Sequence, residues 1–102
     1  MPNLITVAKL SQVPPGTCLA VETEQAAVAL FNVDGRLYAL DNCCPHAGGP
    51  LGEGTLDGRI VECPWHGWRY DVRTGLRPEN PQIAVARYEV LVEGDEVKVV
   101  LP

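Results

Sequence analysis

Ala27-Val28-Ala29-Leu30-Phe31-Asn32-Val33-Asp34-Gly35-Arg36-Leu37-Tyr38-Ala39-Leu40 reads as a β-hairpin. Two apolar runs flank Asp-Gly, a dipeptide that readily supplies the positive φ angles of a tight two-residue turn. The same pattern repeats outward in both directions. Toward the start, Ile5-Thr6-Val7-Ala8-Lys9-Leu10 leads to Pro14-Pro15-Gly16, and Cys18-Leu19-Ala20-Val21 follows. Toward the end, Asp57-Gly58 joins Thr55-Leu56 to Arg59-Ile60-Val61. Later, Glu93-Gly94-Asp95 turns Tyr88-Glu89-Val90-Leu91-Val92 into Val97-Lys98-Val99-Val100. No segment carries a helical apolar stripe with caps, and Val13 to Ala20 is broken by two prolines and a glycine. Many short strands at this spacing predict an all-β chain, a small antiparallel sandwich or barrel.

The length of 102 residues fits a single domain spanning 1–102. A hydrophobic share of 46% allows one core, and a core this small stabilises only modestly. A bound metal centre would add to it, because binding to the native state is linked to folding. The net charge of −5 disfavours nucleic acid and anionic membranes as partners and favours solubility. No apolar run approaches the roughly 20 residues needed to cross a bilayer. Met1-Pro2-Asn3-Leu4 opens without a basic stretch, so no secretory leader is expected and a cytoplasmic location is. In that compartment the four cysteines, Cys18, Cys43, Cys44 and Cys63, read as metal ligands or buried thiols before disulfides.

Two stretches interrupt the strand pattern, Asp41 to Gly54 and Cys63 to about Pro81. The first contains Cys43-Cys44-Pro45-His46-Ala47-Gly48-Gly49-Pro50-Leu51-Gly52, and the second Cys63-Pro64-Trp65-His66-Gly67-Trp68-Arg69-Tyr70. The chain's two histidines each lie within three residues of a cysteine. Two thiolates and two imidazoles suit zinc or an iron–sulfur cluster. As a zinc site, Cys43-x-x-His46 and Cys63-x-x-His66 would be symmetric, with the two-to-four-residue gaps that zinc favours.

Cys44-x-His46, sixteen residues, then Cys63-x-x-His66 resembles the Rieske family of [2Fe–2S] proteins. The likeness extends to Gly48-Gly49-Pro50-Leu51, to Gly67-Trp68-Arg69-Tyr70-Asp71 and to Thr74-Gly75. It implies that Cys44 and Cys63 bind one iron while His46 and His66 bind the other. It also implies a three-sheet antiparallel fold with two cluster-binding loops at one tip, the histidine edges facing solvent. High-potential members place a disulfide-forming cysteine in each loop, where this chain has Gly49 and Trp65. They place a serine that hydrogen-bonds a bridging sulfide where this chain has Trp68, while Tyr70 is retained. The balance points to the low end of the Rieske potential range.

The resemblance implies a one-electron carrier, a stand-alone Rieske ferredoxin with one cluster per chain. It would take electrons from a reductase, flavin-dependent by expectation, and pass them to a terminal oxygenase or another oxidoreductase. No nucleophile, base or substrate cleft stands out, so the chain is not expected to be an enzyme by itself. Two other functions are carried forward: a small subunit of an assimilatory nitrite reductase, and a zinc-stabilised interaction module. Of the remaining residues, Cys43 reads as a free thiol beside the site and Cys18 as a small core residue. Trp68 reads as loop packing, and Trp65 as cluster shielding or partner contact. Arg69, Arg73 and Arg77 read as solvated charge before docking surface.

Overall fold

The computed structural model describes residues 3–43, 48–65 and 67–101. Eleven strands occur among them: β1 (Asn3–Lys9), β2 (Cys18–Glu22), β3 (Ala27–Val33), β4 (Arg36–Asp41), β5 (Thr55–Asp57), β6 (Ile60–Glu62), β7 (Arg69–Asp71), β8 (Leu76–Arg77), β9 (Asn80–Ala84), β10 (Arg87–Glu93) and β11 (Glu96–Leu101). The helices described are two single 3-10 turns, Leu10–Gln12 and Leu51–Glu53. None is long and apolar enough to cross a membrane.

The strands form three antiparallel sheets, as the resemblance implies. A six-stranded sheet runs β1-β11-β10-β4-β3-β2, a three-stranded sheet β5-β6-β7, and a two-stranded sheet β8-β9. The β3–β4 hairpin closes with Val33 opposite Arg36, and Asp34 and Gly35 take φ angles of 53° and 93°. That pair of positive φ values gives a turn whose twist matches the strands it joins. Asn32 locks the corner from below. Its buried side chain donates to the Val13 carbonyl at 2.7 Å and accepts the Gly35 amide at 2.7 Å.

β3 is buried on both faces and divides two apolar cores. Val28 and Leu30 face one, with Val13, Val97, Val99 and Leu101. Ala29 and Phe31 face the other, with Leu40, Leu51, Val61, Tyr70, Val72 and Cys63. The second core contains Cys63, so a cysteine from one interrupting stretch is itself a core side chain. Fully burying a large apolar side chain contributes about 1.5–3 kcal/mol. Phe31 and Tyr70, both at 0% exposure, are therefore main anchors beneath the loops.

The sequence reading of Cys63 to about Pro81 as loop is corrected in part, because β7, β8 and the start of β9 lie inside it. These strands are short, largely exposed and polar, and β9 contains Pro81, which cannot donate to a ladder.

Candidate metal centre

Each interrupting stretch is tied at its base. After β4, the Asn42 amide donates to the Ala27 carbonyl at 3.0 Å. The Asn42 side-chain oxygen accepts the Gly52 amide at 2.7 Å, across ten residues of chain. A backbone bridge between Cys43 and Pro50 narrows the loop further, and Leu51 beyond it is fully buried. The second stretch caps the β6–β7 hairpin, whose last pair is Glu62 with Arg69. Its first residue, Cys63, donates its amide to the Trp68 carbonyl at 2.7 Å. The Cys63 side chain is 2% exposed, and its Sγ accepts the Trp65 amide at 3.4 Å.

The two loops meet at Gly49. A Cβ there would lie 2.7 Å from Cys63 Sγ and 2.9 Å from Trp65 Cγ. Such distances are well inside the roughly 3.5–4.0 Å of ordinary carbon contact, so only glycine lets the first loop close on this sulfur. The arrangement is a buried thiol whose sulfur is approached by backbone amide and by a second loop without a side chain between. That donor environment fits a sulfur-ligated cluster held between two loops. Of the four ligands expected from sequence, Cys63 is described, while Cys44, His46 and His66 lie outside the described residues.

The family described as the Rieske [2Fe-2S] domain matches residues 3–92. The chain belongs to this Rieske family. The naphthalene 1,2-dioxygenase system ferredoxin component of Pseudomonas aeruginosa is 38% identical over 96 residues, covering 93% of this chain and 92% of the relative. The Sphingomonas yanoikuyae B1 ferredoxin superposes with a TM-score of 0.89 at 36% identity, covering 98% of this chain and 100% of that one. A structure described as an NADH-dependent nitrite reductase small subunit, from Mycobacterium tuberculosis, superposes with a TM-score of 0.89 at 23% identity, covering 100% of this chain and 97% of that one. That identity shows a shared fold alone. The Rieske cofactor is a [2Fe–2S] cluster, which sets aside the zinc alternative.

The surroundings of the Rieske loops divide by exposure. Trp65 is 49% exposed, whereas Trp68 packs against the core that holds Cys63. Gly49 and Trp65, which stand where high-potential relatives carry their disulfide, are side by side here. Cys43 is exposed and in no disulfide. Cys18 packs against the site-bearing core and donates its thiol to the Gly54 carbonyl at 3.3 Å. Burial pushes that thiol's pKa up, which keeps it protonated and inert.

The arginines are locally paired: Arg69 with Glu62 at 3.6 Å, Arg59 and Arg73 with Asp71 at 3.3 and 3.6 Å, and Arg77 with Glu79 at 3.8 Å. Arg69–Glu62 is exposed on both sides and contributes little to stability, whereas the reading of Arg77 as solvated charge is corrected, because its side chain is 21% exposed and packs on Trp68. An open cleft of about 300 Å³ is lined by Thr55, Asp57, Ile60, Glu62 and Arg69 of the β5-β6-β7 sheet. Asn42 was not singled out from sequence. The signal for it was an Asx residue at the end of a strand, which is too common to mark a loop clamp.

Proposed function

We propose that Cys44, His46, Cys63 and His66 hold a Rieske [2Fe–2S] cluster, and that this chain is a stand-alone ferredoxin of one domain. The observation that carries the reading is the closure of Gly49 onto the buried Cys63 sulfur. It brings together the two stretches that supply the four ligands. When bound, the cluster supplies reversible uptake of one electron, with two thiolates and two neutral imidazoles leaving the oxidised form formally uncharged. The chain's own contribution is to bind and shelter it. Cys63 is sealed in the core, the Trp65 amide reaches its sulfur, and Asn42 and the Trp68 carbonyl hold the loop bases.

The ferredoxin takes its electron from a reductase, flavin-dependent in our reading, and passes it to a terminal oxygenase. Relatives at 35–42% identity are named as ferredoxin components of dioxygenase systems. A further structural neighbour at 35% identity is a complex of reduced oxygenase and oxidised ferredoxin of carbazole 1,9a-dioxygenase. The likeness to nitrite reductase subunits carries the fold and no more. A cytoplasmic location suits the reduced thiols of Cys18 and Cys43.

The test has two arms. Cys44→Ser, Cys63→Ser, His46→Ala and His66→Ala should each abolish the red-brown cluster absorption, and Cys43→Ser should retain it. Loss in Cys43→Ser with retention in Cys44→Ser would reverse the ligand assignment. In the second arm, the purified protein should carry electrons from an NADH-dependent flavin reductase to cytochrome c. It should also support turnover by the oxygenase component of a naphthalene dioxygenase system. Failure to accept electrons from any such reductase would remove the carrier role.

A further inference from the structure

Arg77 ends β8, and its guanidinium lies over the Trp68 ring with Cζ 3.6 Å from the ring centroid. Its side chain is 21% exposed, and its Nε is buried with no hydrogen bond among the described residues. The Glu79 carboxylate stands 3.8 Å from Nε, beyond hydrogen-bond reach. A guanidinium gives up water at Nε only where another contact offsets the loss, and here that contact is the ring face.

Trp68 is not a passive surface ring. It packs against the core that contains Cys63, and its carbonyl accepts the Cys63 amide at 2.7 Å. Behind Arg77, the β8–β9 hairpin is anchored to the frame. The Gly75 amide donates to the Asp71 carbonyl at 2.7 Å, and the Val85 amide donates to the Gly75 carbonyl at 2.8 Å. A continuous line of contacts therefore runs from the anchored hairpin through Arg77 and Trp68 to the backbone of the proposed ligand.

We propose that Arg77 is a positioning residue of the cluster, bracing the Cys63 loop through Trp68 and holding there a sheltered positive charge that favours the reduced state. The proposal rests on Cys63 being a ligand. Reduction adds one negative charge to the centre, and a fixed cation out of bulk solvent is screened less than a surface one. Glu79 offsets this charge only in part, because its side chain is 51% exposed and better solvated. The guanidinium, planar and delocalised, is suited to lie over the indole in a way that an ammonium is not.

The experiment is a redox titration of the holoprotein with the visible circular dichroism recorded, on wild type, Arg77→Gln, Arg77→Lys and Glu79→Gln. Arg77→Gln should lower the reduced-to-oxidised ratio at fixed potential at least about threefold, a fall of about 28 mV at about 59 mV per tenfold for one electron. Arg77→Lys should recover part of that fall, because it keeps the charge. Glu79→Gln, a surface change with little risk to folding, should move the midpoint the other way. An unchanged midpoint in Arg77→Gln with its cluster intact, a Lys variant as low as the Gln variant, or a fall in Glu79→Gln would each overturn the proposal. Should Arg77→Gln not fold, the Lys and Glu79 arms still decide it. Cys63→Ser is run alongside: a cluster retained there defeats the ligand assignment, whereas a cluster lost there with unmoved Arg77 variants defeats the positioning role alone.

Discussion

Replacing Gly49 by alanine tests the meeting of the two loops directly. Gly49 is not among the residues with positive φ, so its backbone accepts alanine without strain. The cost is therefore one of space. The new methyl would sit 2.7 Å from Cys63 Sγ, 2.9 Å from Trp65 Cγ and 3.1 Å from Trp65 Cβ. Relief to ordinary contact needs a displacement of roughly 1 Å at the sulfur. Trp65 is half exposed and can swing away, but Cys63 is buried in the core and cannot. Overpacking of this kind costs about 1–3 kcal/mol. In a domain of this size that is a fall in Tm of at least about 4 °C. The iron content per chain and the visible absorption should fall too, because the displaced group is a proposed ligand.

Two companions sharpen the reading of Gly49→Ala. Gly48→Ala places its methyl 3.9 Å from Cys43 Sγ at a φ of 75°, so it should lower Tm through backbone strain yet keep full cluster occupancy. Adding Trp65→Ala to Gly49→Ala removes the ring contact but leaves the sulfur contact, so rescue should be incomplete. A Gly49→Ala protein with wild-type Tm, iron content and spectrum would refute the closure of the first loop on Cys63.

Phe31→Ala should destabilise by about 3–5 kcal/mol in denaturant unfolding followed by far-ultraviolet circular dichroism, since the ring is fully buried beneath the loops. The midpoint potential near neutral pH should lie toward the lower Rieske limit of about −150 mV rather than the upper limit of about +300 mV; a titration above about +100 mV would show that Tyr70 or another donor outweighs the missing disulfide and serine. Burial raises the Asp41 carboxyl pKa against the lowering effect of a hydrogen bond from the Asn42 amide. Its ionised form is thus disfavoured on folding, a penalty present above the folded pKa and absent below the unfolded one. Asp41→Asn should give a small Tm gain at pH 7 that disappears below about pH 4.

What the sequence disclosed, and what it withheld, follows from how each feature is encoded. The long strands were legible because their apolar residues recur at the strand period and their turns carry Asp-Gly or Gly-Asp. β3 and the β3–β4 turn fall where the pattern places them. The Asp57-Gly58 turn slipped by one position, and the Glu93-Gly94-Asp95 turn narrowed to its last two residues. Asp57 pairs with Ile60 and Glu93 with Glu96, so the two-residue turns are Gly58-Arg59 and Gly94-Asp95. Glycine occupies the first turn position in both, and the preceding acid stays in the strand. β7, β8 and β9 were hidden because two or three pairs, mostly exposed, leave no periodic trace. The two interrupting stretches stood out in the sequence by their cysteines and histidines, but the closure of Gly49 on Cys63 did not. Nothing local marks Gly49 as the point where a sulfur arrives, or Arg77 as the partner of a ring nine positions earlier.

The hidden features have a common cause, which also explains how so small a chain can hold a metal centre. Cys63 belongs to the same apolar cluster as Phe31, Leu51, Val61 and Tyr70. Packing of the sheet and placement of the sulfur are therefore one event, made by residues distant in sequence. Ligand binding and folding must then be linked in both directions. With Cys63 as the proposed ligand, a bound cluster should stabilise the core that contains it, and a cavity in that core should weaken cluster binding. β3 sets a limit on this linkage. Its opposite face, Val28 and Leu30, packs into a second core in which Cys63 takes no part. Truncations there, such as Leu30→Ala, should lower stability while leaving the cluster spectrum intact in the folded fraction. Truncations on the Phe31 face should disturb both.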